Sequence, residues 1–373
     1  MRRLARASTT LIVLCIVSGW AHAQNVDGRI NGFANNPNKA RIDRGAKEVL
    51  SLAAVDPAHA SKELAAFQKE VAEDFRKRPD ENMAWLFWRD GRLIHEVYHP
   101  KINQDNYFLA FSVTKSVIAM GIGAAVCEGK LSLADIASKH LPELVGSAYA
   151  DRSIEDLLKM KSGIPFAEDP NAVNLFRGVL SQTETYDATL LSFKVSDYPR
   201  RDVMNWNYDS NNTEVLGRVL ESVSGGAGRY LSEVFWSRIG AQSDAWFAVD
   251  NRKRLMAAGG LYAQPRDYLR IGIHLLNTVD EASPNTCIRD FARKAVSPLT
   301  TITTNRYYGY GYQFWSRNNL IRNNEGVFQL NGRIGQRVVV DPKTRVVAVA
   351  VSNGEGGLNH FYPLVNKLRT VNM

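Results

Sequence analysis

The chain has 373 residues, of which 45% are hydrophobic and 23% are charged. This length and composition exclude a disordered or fibrous chain, and they allow a sizeable core that divides into two lobes. The formal net charge is +8, yet the basic residues are scattered and form no Lys/Arg-rich run. We therefore expect no nucleic-acid partner, because proteins that bind nucleic acid concentrate their basic residues on one surface.

The first 23 residues have the pattern of a secretory signal peptide. Three arginines precede an apolar run at residues 11–17, and a small-x-small cleavage sequence, Ala-His-Ala, follows at 21–23. We expect the mature chain to begin near Gln24 and to be periplasmic or secreted, and its net charge falls to +5 because the signal holds three arginines and no acid. The apolar run is much shorter than the roughly 20 residues that span a bilayer, so we expect no integral membrane segment after signal removal.

Two cysteines, Cys127 and Cys287, remain after the signal is removed. An exported compartment permits a disulfide, but spacing alone cannot give connectivity. Cys127 lies on a predicted apolar helix, where a buried thiol is the commoner outcome. We expect two free thiols and keep the disulfide as the alternative.

Hydrophobic periodicity predicts a helix at 58–76 and strands at 83–88 and 93–98. The two strands are joined across Asp90-Gly91, a dipeptide typical of tight hairpins. Further helices are predicted at 112–128, 154–160, 213–224, 265–276 and 360–370. Further strands are predicted at 308–315, 326–330, 336–340 and 346–351.

Strands therefore occur early and late, and helices fill the middle. Short turns join the late strands, which favours antiparallel pairing. We predict an α/β (α+β) fold in which a mainly antiparallel sheet is flanked by helices (α/β/α). The predicted sheet domain comprises residues 24–130 and 253–373, and residues 131–252 form an inserted, mostly helical lobe.

The second predicted strand contains His95, Glu96 and His99, which spell the H-E-x-x-H motif of zinc peptidases. That motif requires a helix, because only there do histidines four apart converge on one metal. On a strand the same residues lie roughly 13 Å apart. We therefore predict no metal site and retain a zinc peptidase only as the least favoured alternative.

Ser112 and Lys115 begin the predicted helix at 112–128, which is apolar on most faces and therefore buried. Residues three apart on a helix share a face, so the amine of Lys115 could take a proton from the hydroxyl of Ser112. A serine hydroxyl needs such an adjacent base to attack a carbonyl. The alternative is a lysine that only forms a salt bridge to the neighbouring lobe.

Seven short motifs occur along the chain and are read together. They are Phe-Ser-Val-Thr-Lys-Ser at 111–116, Glu-Gly-Lys-Leu at 128–131, Asp-Leu-Leu-Lys-Met-Lys-Ser-Gly at 156–163, Tyr-Asp-Ser at 208–210, Ala-Gly-Gly-Leu-Tyr at 258–262, Tyr-Gly-Tyr-Gly-Tyr at 308–312 and Gly-Arg-Ile-Gly-Gln at 332–336. This set, in this order, resembles the serine β-lactamase and penicillin-binding family. The resemblance points to the class C branch, which includes D-Ala-D-Ala peptidases, esterases and 6-aminohexanoate-dimer hydrolases, and it covers roughly residues 80–370.

The resemblance implies a role for each matching residue. Ser112 would be the nucleophile, Lys115 the amine that accepts or relays its proton, and Tyr208 a third member whose oxygen lies near both. The backbone N–H groups of Ser112 and Arg333 would form the oxyanion hole. Family members place this site between an α/β/α sheet domain and an inserted helical lobe, and they use no cofactor.

The chain departs from the family pattern at two motifs. Ser210 stands where the Tyr-x-Asn motif has its asparagine, and Leu330-Asn331-Gly332 replaces Lys-Thr-Gly. The cation that would hold a β-lactam or peptide carboxylate is therefore absent from this strand. The departures disfavour an efficient β-lactamase and a strict D-Ala-D-Ala carboxypeptidase, which stay as alternatives.

Substrate-binding residues are predicted from two sources. The motif positions supply Ser210, Asn331 and Gly332. Aromatic residues near the motifs, Trp206, Phe166 and Tyr262, could line an apolar pocket, with core or lobe packing as the alternative for each.

The leading hypothesis is a secreted serine hydrolase that cleaves a small ester or amide through an acyl-enzyme. A different class, a binder of cell-wall fragments without turnover, stays open. The sequence does not tell whether Lys115 or Tyr208 is the base, nor does it predict the oligomeric state.

Overall fold

The structure is a computed structural model that describes residues 38–166, 168, 173–180, 183–201, 205–280, 284–302, 304 and 306–373. The predicted signal peptide lies outside these residues. The helices are α1 (Lys62–Phe75), α2 (Val113–Cys127), α3 (Ala137–His140), α4 (Ile154–Leu158), α5 (Val173–Leu180), α6 (Tyr186–Ser192), α7 (Ser210–Ser224), α8 (Ala227–Val234), α9 (Pro265–Val279), α10 (Thr286–Val296) and α11 (Leu358–Leu368). The strands are β1 (Lys39–Ile42), β2 (Asn82–Arg89), β3 (Arg92–Tyr98), β4 (Phe108–Leu109), β5 (Ala245–Ala248), β6 (Leu261–Ala263), β7 (Thr300–Thr301), β8 (Tyr307–Tyr310), β9 (Trp315–Asn318), β10 (Phe328–Gly332), β11 (Gln336–Asp341) and β12 (Val346–Ser352).

Eight strands form the main sheet in the order β3-β2-β12-β11-β10-β9-β8-β7, with antiparallel pairing between neighbours. The predicted hairpin is present, and Asp90 and Gly91 have φ angles of 47° and 85°, as a tight primed turn requires. Because β2 pairs with β12, the sheet joins an early part of the chain to its last strand. The fold is the mixed α/β class predicted from the sequence.

Alternate residues of β12 face two different layers of the core. Val347 and Val349 pack in the cluster that contains α9, whereas Ala348 and Ala350 pack in the cluster that contains α1 and α11. All seven residues of β12 are buried, as expected for a strand covered on both faces. The helices therefore form a layer on each side of the sheet.

A smaller antiparallel sheet has the order β1-β5-β6-β4. Its last strand, β4, comes just before α2, and α2 packs against α7 and α10. The segment 131–252 contains α3 to α8 together with β5. The exact limits of the sheet domain and the inserted lobe remain predictions.

The predicted strand at 308–315 is wrong in its continuity, because β8 and β9 are two paired strands. Gly311 lies in the turn between them, where an added Cβ would stand 1.9 Å from the carbonyl oxygen of Ala295. Gln313 in the same turn has a φ of 65°. The tight packing of this turn against α10 reverses the chain, which periodicity alone does not reveal.

The expectation of two free thiols is also wrong, because Cys127 and Cys287 form a disulfide with their Cα atoms 5.8 Å apart. The sequence did not predict α10, which carries Cys287 next to the end of α2. Gly123 allows this approach, since a Cβ there would stand 2.4 Å from the ring of Phe291 on α10. Close helix packing therefore brings the two cysteines together.

The residues that spell H-E-x-x-H lie along an extended segment, as predicted. His95 and Glu96 belong to β3, and His99 follows its last residue. Glu96 pairs with Arg266, whose Nε donates to it at 2.9 Å. The helical geometry that a zinc peptidase needs is not formed, and no cluster of three or more His, Cys, Asp and Glu side chains suited to a metal occurs in the part of the chain that the structure describes.

No helix within the described ranges combines the length and the apolar content needed to cross a membrane.

Candidate active site

Ser112 stands at the N-cap of the buried helix α2, with φ −67° and ψ −4°. Serine at this position usually caps its helix with its side-chain oxygen, but the hydroxyl of Ser112 makes no capping bond. Phe111 before it has a φ of 47°, a conformation that costs energy in a non-glycine residue. The backbone therefore turns sharply at this point and leaves the Ser112 hydroxyl available for other partners.

The Lys115 amine, 2% exposed as a residue, is surrounded by oxygen atoms. Its Nζ donates to Ser112 Oγ at 3.1 Å, to Ser210 Oγ at 2.9 Å and to the carbonyl of Ala258 at 2.8 Å. Three bonds exhaust the donors of a protonated amine. The structure thus brings the predicted Ser112–Lys115 pair into contact and adds Ser210 on α7.

Burial lowers the pKa of Lys115 from its usual value, while the carboxylates of Glu168, Glu214 and Asp209 act to raise it. Burial is the larger effect because it removes water from the charged amine. An amine with a lowered pKa holds its proton less firmly and is better suited to accept one from a hydroxyl.

Tyr208 lies beside the same pair. The Lys115 Nζ is 5.3 Å from the centroid of its ring. Burial, and to a lesser extent the carboxylate of Glu168, raises the pKa of Tyr208, while the nearby Ser112 side chain acts to lower it. The phenol therefore keeps its proton more firmly than a free tyrosine.

Ser210 links Lys115 to a carboxylate that the sequence analysis did not identify. Its hydroxyl donates to Glu168 Oε1, and its backbone N–H donates to Glu168 Oε2 at 3.0 Å. The hydrogen bonds run from Ser112 through Lys115 and Ser210 to Glu168. Glu168 lies in a stretch with no periodicity, so no local pattern could have predicted its position.

Two further carboxyl groups lie buried behind Lys115. Glu214 accepts from the backbone N–H groups of Ala258 at 2.8 Å and Ala257 at 3.3 Å, and burial raises its pKa to about 7. Asp209 accepts from the Tyr149 hydroxyl at 2.8 Å, and burial likewise raises its pKa to about 7. Both groups therefore change charge near neutral pH.

The end of β10 approaches the turn that carries Ser112. A Cβ on Gly332 would stand 2.3 Å from the carbonyl oxygen of Ala110, so only glycine fits without a shift of the backbone. Arg333 and Ile334 follow, and Ile334 has a φ of 53°. This contact places the backbone after Gly332 at the wall of the same cavity as Ser112.

A cavity of about 550 Å³ opens at these residues. Of the predicted site residues, Ser112, Lys115, Tyr208, Ser210, Asn331, Gly332 and Arg333 line it. Residues that the sequence analysis missed line it too: Glu168, Tyr186, Arg306, Tyr307, Trp315, Arg337 and Glu355. Arg337 directly follows the Gly-Arg-Ile-Gly-Gln motif, and this adjacency is the one signal that could have identified it.

Three predicted aromatic residues do not belong to the cavity wall. Trp206 packs against Tyr208 and Trp315 with ring centroids 6.3 and 6.1 Å away. Phe166 contacts Phe193 inside the lobe, and Tyr262 lies on β6 between β4 and β5. Trp206 thus supports Tyr208 from behind, and the packing alternative describes where Phe166 and Tyr262 lie.

Comparisons with known proteins relate this geometry to a family. A family model described as Beta-lactamase matches residues 71–363. A 6-aminohexanoate-dimer hydrolase from Paenarthrobacter ureafaciens is 26% identical over 337 residues, which cover 82% of this chain and 83% of that protein.

Solved structures share the fold at lower identity. A Bacillus anthracis protein described as a 6-aminohexanoate-dimer hydrolase has a TM-score of 0.70 at 18% identity, covering 92% of this chain and 94% of its own. EstCE1, a hydrolase with promiscuous acyltransferase activity, has a TM-score of 0.65 at 17% identity, covering 84% of this chain and all of its own. The predicted resemblance is confirmed by the family match: the chain belongs to the beta-lactamase family of serine hydrolases.

Proposed function

We propose that the protein cleaves a small ester or amide through an acyl-enzyme formed on Ser112. The observation that carries this proposal is the 3.1 Å hydrogen bond between Lys115 Nζ and Ser112 Oγ, made by an amine whose pKa burial lowers. A nucleophilic hydroxyl and a base within hydrogen-bond reach are the minimum that acyl transfer requires.

In the reactive form Lys115 has lost one proton, so that its Nζ accepts the Ser112 hydrogen bond instead of donating it. Acylation begins when Ser112 Oγ attacks the substrate carbonyl and its proton passes to this deprotonated amine. We assign the base to Lys115 rather than Tyr208 because burial lowers the pKa of the amine and raises that of the phenol. A phenol that holds its proton is suited to donate to the leaving group. Tyr208 would then recover its proton from Lys115, which leaves both groups as they started.

The tetrahedral oxyanion would be held by the backbone N–H groups of Ser112 and Arg333. Support comes from the close approach of Gly332 to Ala110, which brings the two backbone segments to one cavity wall. Water then attacks the acyl carbonyl and passes a proton to Lys115, while Tyr208 donates its proton to Ser112 Oγ as the acyl bond breaks. Lys115 returns its proton to Tyr208, which restores all three groups.

Two observations support the choice of substrate class: the name of a relative, and the absence of the lysine of the Lys-Thr-Gly motif. The relative at 26% identity is named for hydrolysis of the 6-aminohexanoate dimer, a small linear amide. The position of the Lys-Thr-Gly lysine is taken by Leu330, which is fully buried in the core. We therefore favour small linear esters and amides over β-lactams and D-Ala-D-Ala peptides.

Intact-mass measurement after incubation with a 4-nitrophenyl ester or a serine-directed phosphonate tests the nucleophile. A covalent adduct should form on the wild-type protein and be absent from Ser112→Ala. Ser116→Ala is the matched control, because Ser116 lies one turn further on α2 and donates to the Gln313 carbonyl at 2.6 Å. Absence of any adduct on folded wild-type protein would rule out the proposed chemistry.

We also propose that the chain is exported to the periplasm or secreted. The signal-like pattern of residues 1–23 supports this, as does the Cys127–Cys287 bond, since disulfides persist in oxidising compartments. Intact-mass measurement of the exported chain should show the loss of residues 1–23. A full-length chain retained in the cytoplasm would contradict the proposal.

A further inference from the structure

The cavity wall carries an uneven distribution of charge. On the side built by the main sheet it contains three arginines, Arg306, Arg333 and Arg337, and one carboxylate, Glu355. The cation missing from β10 is thus replaced by cations from neighbouring parts of the sheet domain. We call Arg306, Asn331, Arg337 and Glu355 the arginine subsite.

Asn331 and Arg337 are direct partners across the β10–β11 ladder, so their side chains are neighbours on one face of the sheet. Both are more than nine-tenths buried, with exposures of 8% and 5%. The amide nitrogen and oxygen of Asn331 and the Nε of Arg337 have no hydrogen-bond partner among the described residues. Unpartnered buried polar groups are costly, and a polar ligand group at this wall would offset that cost.

Glu355 shows which ligand chemistry the two arginines accept. Its Oε1 lies 3.0 Å from Arg337 Nη2, and its Oε2 lies 3.3 Å from Arg306 Nη1. One carboxylate therefore fits between the two guanidinium groups. The Glu355 side chain is 48% exposed, so it is free to move aside or to share its partners.

We propose that the arginine subsite binds a carboxylate of the substrate, so that the preferred substrates are linear esters or amides with a free carboxylate. This inference rests on the proposed attack by Ser112. Arg306, whose side chain is 29% exposed, supplies the accessible charge. Arg337 positions the site from behind, since its Nη1 donates to the carbonyls of Gly332 and Gln336.

The test compares matched pairs of charged and neutral substrates. One pair is 4-nitrophenyl hydrogen adipate and its methyl ester, with the carboxylate on the acyl side. The other is 3-acetoxybenzoate and its methyl ester, with the carboxylate on the leaving group. In at least one pair, kcat/KM of the wild-type enzyme should favour the anionic member by about tenfold, as expected for one hydrogen-bonded charge pair.

Two variants should shift this ratio in opposite directions. Arg306→Gln should lower the anionic-to-neutral ratio of kcat/KM by about tenfold, because it removes the accessible cation. Glu355→Gln should raise the ratio, because it removes the competing carboxylate. Arg317→Gln is the matched control: Arg317 is exposed on β9 and lies outside the cavity wall, so its loss should leave the ratio unchanged.

The outcomes separate this inference from the proposed function. Turnover of neutral esters with no anionic preference in either pair, or with an unchanged ratio in Arg306→Gln, would overturn the arginine subsite alone. Failure of the folded wild-type enzyme to turn over any of the four esters would overturn the proposed function and the subsite with it.

Discussion

At the scale of single residues, the site combines one buried amine with three carboxyl groups. Glu168, Glu214 and Asp209 favour the charged form of Lys115, but burial outweighs them and lowers its pKa. For two of these groups burial acts in the opposite sense and raises the pKa, to about 7 for Glu214 and to about 7 for Asp209. Burial therefore shifts the pKa of the amine and the pKa values of these two acids toward one another, as is common where enzymes move protons.

This arrangement predicts that Glu214 contributes to the pH dependence of stability, and that Glu214→Gln should remove that contribution. Between about pH 4.5 and pH 7, folded Glu214 holds a proton that the unfolded chain has lost. The folded state therefore binds more protons than the unfolded state in this window. As a result, the contribution of Glu214 to the free energy of unfolding falls as pH rises through the window. Glutamine carries no charge and keeps an oxygen that can accept from Ala258.

Urea unfolding at pH 5 and pH 8 measures the effect. The free energy of unfolding of Glu214→Gln minus that of wild type should be up to about 3 kcal/mol larger at pH 8 than at pH 5. Asp209 is present in both proteins, so its own titration cancels. Glu73→Gln changes an exposed carboxylate on α1, and its free energy of unfolding should change with pH as that of wild type does. If the free energy of unfolding of Glu214→Gln also changes with pH as in wild type, the prediction is refuted.

At the scale of elements, the site lies where two buried helices begin and one strand ends. Ser112 starts α2, Ser210 starts α7, and Gly332 ends β10. Helix N-termini present unpaired N–H groups and a positive dipole end. In the proposed mechanism, the backbone N–H groups of Ser112 before α2 and of Arg333 after β10 would be the donors to the substrate oxyanion.

Gly332→Ala should disrupt this meeting point. Its Cβ would stand 2.3 Å from the Ala110 carbonyl oxygen, so β10 must move away from the turn before Ser112. Misplacing one oxyanion donor costs on the order of 10²–10³ in kcat, and we expect a loss of that size with an activated ester. Gly228→Ala on α8 is the matched control, because its Cβ finds its nearest atom at an ordinary 3.4 Å. Wild-type kcat in Gly332→Ala would show that the strand end does not position the donor.

At the scale of the whole molecule, the sequence predicted what depends on periodicity and on short motifs. The hairpin at Asp90-Gly91, the antiparallel late strands and the contact of Ser112 with Lys115 are of this kind. What it missed depends on packing between segments far apart in the chain. Glu168 reaches Ser210 from 42 positions away, and α10 and its disulfide depend on the absence of a side chain at Gly123. Neither leaves a local pattern.

The disulfide leads to a prediction about the stability of the whole chain. Cys127 and Cys287 are 160 positions apart and join the helix of Ser112 to α10. A crosslink across so long a loop restricts the unfolded chain, and such bonds typically contribute about 2–4 kcal/mol.

The double variant Cys127→Ser/Cys287→Ser should lose about this much free energy of unfolding in urea, and wild type in the presence of dithiothreitol should fall to the same level. The double variant itself should not respond to the reductant, which makes it the internal control. Because the bond also holds α2 at the end opposite Ser112, we expect the folded double variant to keep the pH dependence of kcat/KM. Equal stability of the oxidised and reduced wild-type chains would contradict a structural role for the bond.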